Sequence, residues 1–138
     1  MTHALSALFS KKSDHWSTPK DLLAELDKKY GPFTLDPCPL NGEGGLDIDW
    51  AGRVFVNPPY SNVGAWMKKA RYETLIKCRP EIVVCLVPAR TDTKWFHEYC
   101  YGIAQGPEIK FLKGRLKFGD SKNSAPFPSM LVIYRRLQ

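Results

Sequence analysis

Asn57-Pro58-Pro59-Tyr60 is the segment of this chain whose residue types, taken together, point to chemistry. Two consecutive prolines carry no backbone N–H and have fixed φ angles. They strip a strand end of donors and hold carbonyls in set directions, a rigid acceptor site. Asn57 adds a side-chain oxygen, and Tyr60 adds a flat face with a polar tip. A planar group with two N–H donors complements such a site, and the exocyclic amine of a nucleobase is one. Its lone pair is delocalised into the ring, so it is a poor nucleophile. Two acceptors gripping both hydrogens favour a pyramidal nitrogen with density available for attack. They also bind more strongly as positive charge develops, so they act on the transition state. The competing reading is a plain turn in which Tyr60 simply packs. That reading explains one proline better than two in succession.

Periodicity shows which elements must position the tetrapeptide. Arg53-Val54-Phe55-Val56 is β-branched and aromatic, a buried strand that Asn57 ends. Val63 to Lys77 favours an amphipathic helix, with Trp66, Ala70 and Leu75 among its apolar positions. Glu81 to Val87 is a continuous apolar strand of the kind covered on both faces. Thr93 to Tyr101 reads as a short helix, and Ile109–Phe111, Leu116–Phe118 and Met130–Tyr134 as strands. Upstream, Ser17-Thr18-Pro19 signals a helix start, Leu22, Leu23 and Leu26 share one face, and Gly31-Pro32 stops the helix. Phe33-Thr34-Leu35 is then a short strand broken by Asp36-Pro37. This order implies an α/β sheet, largely parallel with an antiparallel C-terminal edge. Ligands of such sheets bind outside the carboxyl ends of the strands, here the loops starting at Asp36, Asn57 and Pro88.

The chain has 138 residues, which suits one domain over residues 15–138, preceded by a loosely ordered arm over residues 1–14. Hydrophobic residues at 43% and aromatic ones at 12% exclude a disordered chain. No apolar stretch approaches the roughly 20 residues of a membrane span, and the N-terminus lacks the pattern of a secretory signal. The expectation is a soluble, cytoplasmic protein with no membrane partner. Cys38, Cys78, Cys85 and Cys100 form no close pair, and His3, His15 and His97 do not complete a metal site. The reading is therefore reduced, mostly buried thiols and no metal. Twenty Lys+Arg against fourteen Asp+Glu give a net charge of +6, which makes a polyanion a plausible partner.

Asn-Pro-Pro-Tyr after a hydrophobic strand resembles the catalytic motif of amino-methyltransferases that use S-adenosylmethionine. More closely, the chain resembles the small phage-type DNA adenine N6-methyltransferases of the Dam family. The likeness runs from Trp16-Ser17-Thr18-Pro19 through Leu35-Asp36 and Val54 to Ser61. It continues over Leu86 to Thr91 with Trp95-Phe96, then Gly114 to Phe118 and Phe127-Pro128-Ser129-Met130. It implies a single-domain, reduced Rossmann-like methyltransferase sheet that works on DNA in a bacterial host cytoplasm.

The resemblance also implies roles. Asn57 and the Pro58 carbonyl would hold the amine, with Pro59 completing the rigid turn, and Tyr60 would stack on a base flipped from its helix. S-adenosylmethionine would lie between Trp16-Ser17-Thr18-Pro19, Asp36-Pro37 and Asn57. Thr18 would hold the methionine carboxylate and Asp36 the ammonium group. The alternatives are that Thr18 is a plain helix cap and that Asp36 is a turn former. An acidic residue would grip the ribose, with Asp47 and Asp49 as candidates between which the spacing does not decide. Arg90, Arg115 and Lys117 would contact nucleic acid, although Arg115 and its neighbours also suit a solvated strand face. The span from Asp36 to Asn57 is too short for the usual crossover units, so elements must be missing. With no separate recognition domain, base readout falls to loops, to the basic C-terminal third, or to a second copy of the chain in a homodimer. The rival functions are methylation of another planar amine, such as cytosine N4 or RNA adenine, and a non-catalytic nucleic-acid-binding module on a decayed fold.

Overall fold

The computed structural model describes residues 16–38, 44–118 and 123–137. The arm expected over residues 1–14 lies outside them. Helix α1 spans Lys20–Tyr30. It ends where the Gly31 N–H bonds to the Asp27 carbonyl and the Phe33 N–H to Asp27 Oδ1, at 2.9 and 2.8 Å. A Cβ at Gly31 would lie 2.5 Å from the Asp27 carbonyl oxygen, so glycine is required there.

Strand β1 is Gly52–Val56 and β2 is Pro80–Pro88, paired in parallel. Between them runs α2, Val63–Arg71, prolonged by a π-helical turn over Tyr72–Ile76. The expected helix to Lys77 is thus present, with its last turn widened. Thr74 bonds back to the Ala70 carbonyl at 2.6 Å. Glu73, 1% exposed, accepts the Trp50 N–H at 3.0 Å and pairs with Lys69 at 3.2 Å. This carboxylate pins the approach to β1 against the helix.

Helix α3 covers Lys94–Tyr99, β3 covers Glu108–Phe111 and β4 covers Ser129–Arg135. The sheet order is β1-β2-β4-β3, with β4 antiparallel to both β2 and β3. Leu35 adds a parallel bridge to Val54 outside β1. The mixed sheet read from the sequence is therefore present, parallel from Leu35 through β2 and antiparallel at its C-terminal edge. Two expected strands differ. Phe33–Leu35 shrinks to that one bridge because Asp36 turns out of the sheet at once. Leu116–Phe118 joins no ladder: Leu116 accepts the Ala125 N–H at 2.7 Å, and Phe118 packs over the sheet face.

β2 is buried on both sides, as its unbroken apolar run requires. One face packs Val54, Val56, Val83, Cys85 and Val132 against Trp66, Met67 and Phe96 of α2 and α3. The other packs Phe55, Val84, Leu86, Leu131 and Ile133 against α1, Phe118 and Phe127. Cys38, Cys85 and Cys100 are buried thiols and Cys78 is exposed. Among the described residues no helix is long and apolar enough to cross a membrane.

Candidate active site

Asn57 follows the last residue of β1 and is 4% exposed. Its amide nitrogen donates to the Trp16 carbonyl at 2.5 Å and to Thr18 Oγ1 at 3.0 Å. A carbonyl only accepts, so Nδ2 must face Trp16 and Oδ1 must face away. No described residue donates to that oxygen. The segment before α1 therefore acts as a clamp that aims an acceptor out of the strand end. Thr18 is no helix cap: α1 has no side-chain cap bond, and the hydroxyl accepts from Asn57 instead. It keeps its own proton for donation.

Pro58 is buried, and Pro59 lies in extended backbone at φ −65° and ψ 143°. The Pro59 carbonyl is taken by the Asn62 N–H at 3.1 Å in a short 3-10 turn over Tyr60–Asn62. The Tyr60 ring sits in an aromatic cluster. Trp16 lies near-parallel to it at 6.3 Å, Phe127 edge-on at 4.7 Å and Phe118 edge-on at 6.5 Å. The Tyr60 hydroxyl is buried without a hydrogen-bond partner among the described residues. Burial pushes its ionisation well above the ordinary tyrosine range, against a smaller opposing pull from the Arg90 charge.

That pull brings Arg90 to the site. It leaves the end of β2 in a turn whose carbonyl accepts the Thr93 N–H and hydroxyl, while its side chain is exposed. Arg115 and Lys117 are exposed on the stretch leading to Phe118, which packs 5.6 Å from Trp16. Both cations therefore ride on the segment that walls the aromatic cluster.

Asp36 and Pro37 leave the sheet beside β1. Asp36 Oδ1 accepts the Cys38 N–H at 3.1 Å. A cavity of about 600 Å³ opens between this loop and α1, lined by Lys20, Leu23, Phe33, Leu35, Asp36 and Phe55 among others. Pro19 and Thr18 stand directly before its Lys20 rim. A Cβ on Gly45 would lie 1.8 Å from the Pro37 carbonyl oxygen, so only glycine lets the Gly45–Asp47 turn dock on this loop. The same turn packs on the α2 side, where Leu46 joins the core around Trp66, and Asp47 is exposed. Asp49 precedes the opposite end of β1, where its carboxylate pairs with Arg79 ahead of β2. Five strand residues, about 16 Å at roughly 3.3 Å each, separate that end from Asn57.

The structure thus joins Trp16, Thr18, Asn57 and Tyr60 by direct contact. Pro19, Asp36, Pro37, Arg90, Arg115 and Lys117 lie on the segments around them, and Asp49 is set apart. The sequence reading placed neither Phe118 nor Phe127 in the cluster, because nothing local ties residues so distant in the chain to Tyr60. The hint was that both lie in stretches that carry the family resemblance, Gly114 to Phe118 and Phe127 to Met130.

A family model described as DNA N-6-adenine-methyltransferase (Dam) matches residues 5–138. The DNA N-6-adenine-methyltransferase of Escherichia phage T1 is 31% identical over 98 residues, an alignment covering 62% of this chain and 40% of that protein. The chain therefore spans less than half the length of this curated relative. No solved structure matches the chain. A match over nearly its whole length places the chain in the Dam family of DNA N-6-adenine-methyltransferases.

Proposed function

We propose that this chain transfers a methyl group from S-adenosylmethionine to the N6 amine of adenine in DNA, with the target base turned out of the helix into the Asn57–Tyr60 site. The observation that carries the reading is the clamp on Asn57. Its Nδ2 is held by Trp16 and Thr18, so the outward atom is an oxygen, and an amine is what an oxygen there can grip. The Pro58 carbonyl supplies the second acceptor. Together they draw both N6 hydrogens out of the ring plane and stabilise the charge that grows on nitrogen. Asn57 is neutral and takes no proton; it holds the amine while the surplus proton leaves to solvent.

The cavity beside Asp36 fits the methyl donor in size and chemistry. Its volume lies within the range of cofactor pockets. Leu23, Leu35, Phe33 and Phe55 offer apolar walls, and Asp36 offers a carboxylate for an ammonium group. Thr18, with its proton still to donate, suits a carboxylate. Bound there, S-adenosylmethionine supplies an electrophilic methyl group. Arg90, Arg115 and Lys117 hold DNA phosphates at the rim, and Tyr60 stacks on the flipped base.

The test is incubation of the purified chain with labelled S-adenosylmethionine and unmethylated DNA, followed by nucleoside analysis. N6-methyladenine is the expected product. N4-methylcytosine would move the reading to another base, transfer only to RNA would move it to another polymer, and no transfer would favour a decayed binding module.

A further inference from the structure

Among the described residues the hydroxyls of Tyr60 and Ser129 are both buried without a hydrogen-bond partner, and Ser129 is 1% exposed. Ser129 opens β4. Leu131 and Ile133 of that strand belong to the core under α1, whereas Met130, Val132 and Tyr134 belong to the other. Alternation therefore turns Ser129 to the α1 side, which is the side of Phe55 and of the Trp16–Thr18 clamp.

The register places it further. Ser129 pairs with Pro88 at the carboxyl end of β2. Asn57 follows Val56, which pairs with Cys85 on the opposite flank of β2. Two strand spacings separate β1 from β4 by about 10 Å. Asn57 and Ser129 thus bracket the end of β2, at about the span of a purine with a hydrogen bond at each edge. Tyr60 belongs to the same corner. Its ring packs on Phe127, two residues before Ser129, and its hydroxyl feels Arg90, two residues after Pro88.

A buried hydroxyl without a partner is destabilising, and alanine would remove that cost with little change in packing. Among the described residues the Ser129 hydroxyl has nothing to bond. We propose that Ser129 is a specificity-determining residue of the base site: its hydroxyl bonds a ring nitrogen of the flipped base while Asn57 and Pro58 hold the amine and Tyr60 covers the base face. Ring nitrogens carry in-plane lone pairs that a hydroxyl at the ring edge can meet, and the aromatic walls around it offer no such donor. A base lacking that acceptor would leave the hydroxyl unpaired, which is how a polar site rejects an analogue. This inference rests on the methyl-transfer reading and deepens it.

The test compares wild type, Ser129→Ala and Ser129→Thr in methyl transfer to unmethylated duplex DNA, with thermal melting and S-adenosylmethionine titration alongside. Ser129→Ala should lose about tenfold in kcat/KM, as for one neutral hydrogen bond. It should keep its cofactor affinity and melt at or above the wild-type temperature. Ser129→Thr, which retains the hydroxyl, should keep most of the activity. Unchanged kcat/KM in Ser129→Ala overturns the proposal and leaves the methyl-transfer reading standing. A loss matched by lower melting temperature and weaker cofactor binding also overturns it, since Ser129 would then act through folding. Absence of transfer by wild type overturns the underlying reading and this proposal with it.

Discussion

The carboxamide of Asn57 donates to the main-chain carbonyl of Trp16 across 41 positions of sequence, at 2.5 Å. A strand end and a pre-helix segment are thereby locked so that one oxygen has a single orientation. Packing alone would leave the amide free to flip; the carbonyl forbids it. Preorganisation of this kind lets an acceptor stabilise a transition state without first having to reorient.

Thr18 shares the clamp, so its hydroxyl should matter for turnover. Thr18→Val removes the acceptor at 3.0 Å and leaves only Trp16 to orient the amide. A fall in kcat of about tenfold is expected, from one lost hydrogen bond. KM for S-adenosylmethionine should rise as well if the same hydroxyl donates to the cofactor. Thr18→Ser should restore both. Steady-state kinetics of the two variants check this, and a Thr18→Val enzyme with wild-type kcat would mean that Trp16 orients Asn57 alone.

Arg115 and Lys117 sit exposed beside the Phe118 wall and touch no acidic partner among the described ion pairs. As phosphate contacts they release counterions. Neutralising both should lower DNA affinity for all sequences alike and flatten the slope of log K against log salt by about 2. Fluorescence anisotropy over a salt series reads that slope. A loss confined to one sequence context would show that these side chains read bases.

Much of the architecture was legible because the signals were local and consistent. The unbroken apolar run of β2 and the apolar spacing around Trp66 and Ala70 match the observed elements. Leu116–Phe118 misled because an apolar-polar-apolar run also suits a segment lying across a sheet face, and only the tertiary packing of Phe118 on Trp16 decides. Asn57 and Tyr60 were visible as a motif, but the clamp was not. Trp16 acts through its main-chain carbonyl, and no side-chain pattern can announce a carbonyl. Thr18 looked like a cap because the Ser-Thr-Pro signal is the same whichever way the hydroxyl turns. Asp49 suited a ribose role by its position in the chain, yet its carboxylate pairs with Arg79 at the far end of β1, a contact between residues 30 apart that no local pattern announces.

Alkaline conditions should unfold the protein through its buried acids. Burial pushes the Cys100 thiol up to about 12 from an ordinary 9.0, and the Cys85 thiol and the Tyr60 and Tyr134 hydroxyls are also raised, chiefly by burial. In each case the folded state favours the neutral form. The stabilisation is full below the unfolded pKa and is lost as pH rises towards the folded one. Stability should therefore hold up to about pH 9 and decline from there to about pH 12. Cys100→Ala should make the decline shallower by removing one of these protons. Urea melts at stepped pH measure it, and a rise in stability across this window would contradict the burial of these groups.

The most direct test of the account is methyl transfer by Asn57→Ala, measured with cofactor affinity and thermal stability on the same preparation. The account predicts a fall in turnover of about 10²- to 10³-fold, by analogy with the loss of one preorganised transition-state contact. Cofactor affinity should change little, because the contact strengthens only as charge develops on the amine. Asn57→Asp sharpens the comparison: it keeps an oxygen for the amine and sets a carboxylate against the Trp16 carbonyl, so it should retain measurable activity in a less stable protein. A stable Asn57→Ala protein that methylates adenine at a near-normal rate would contradict the central claim.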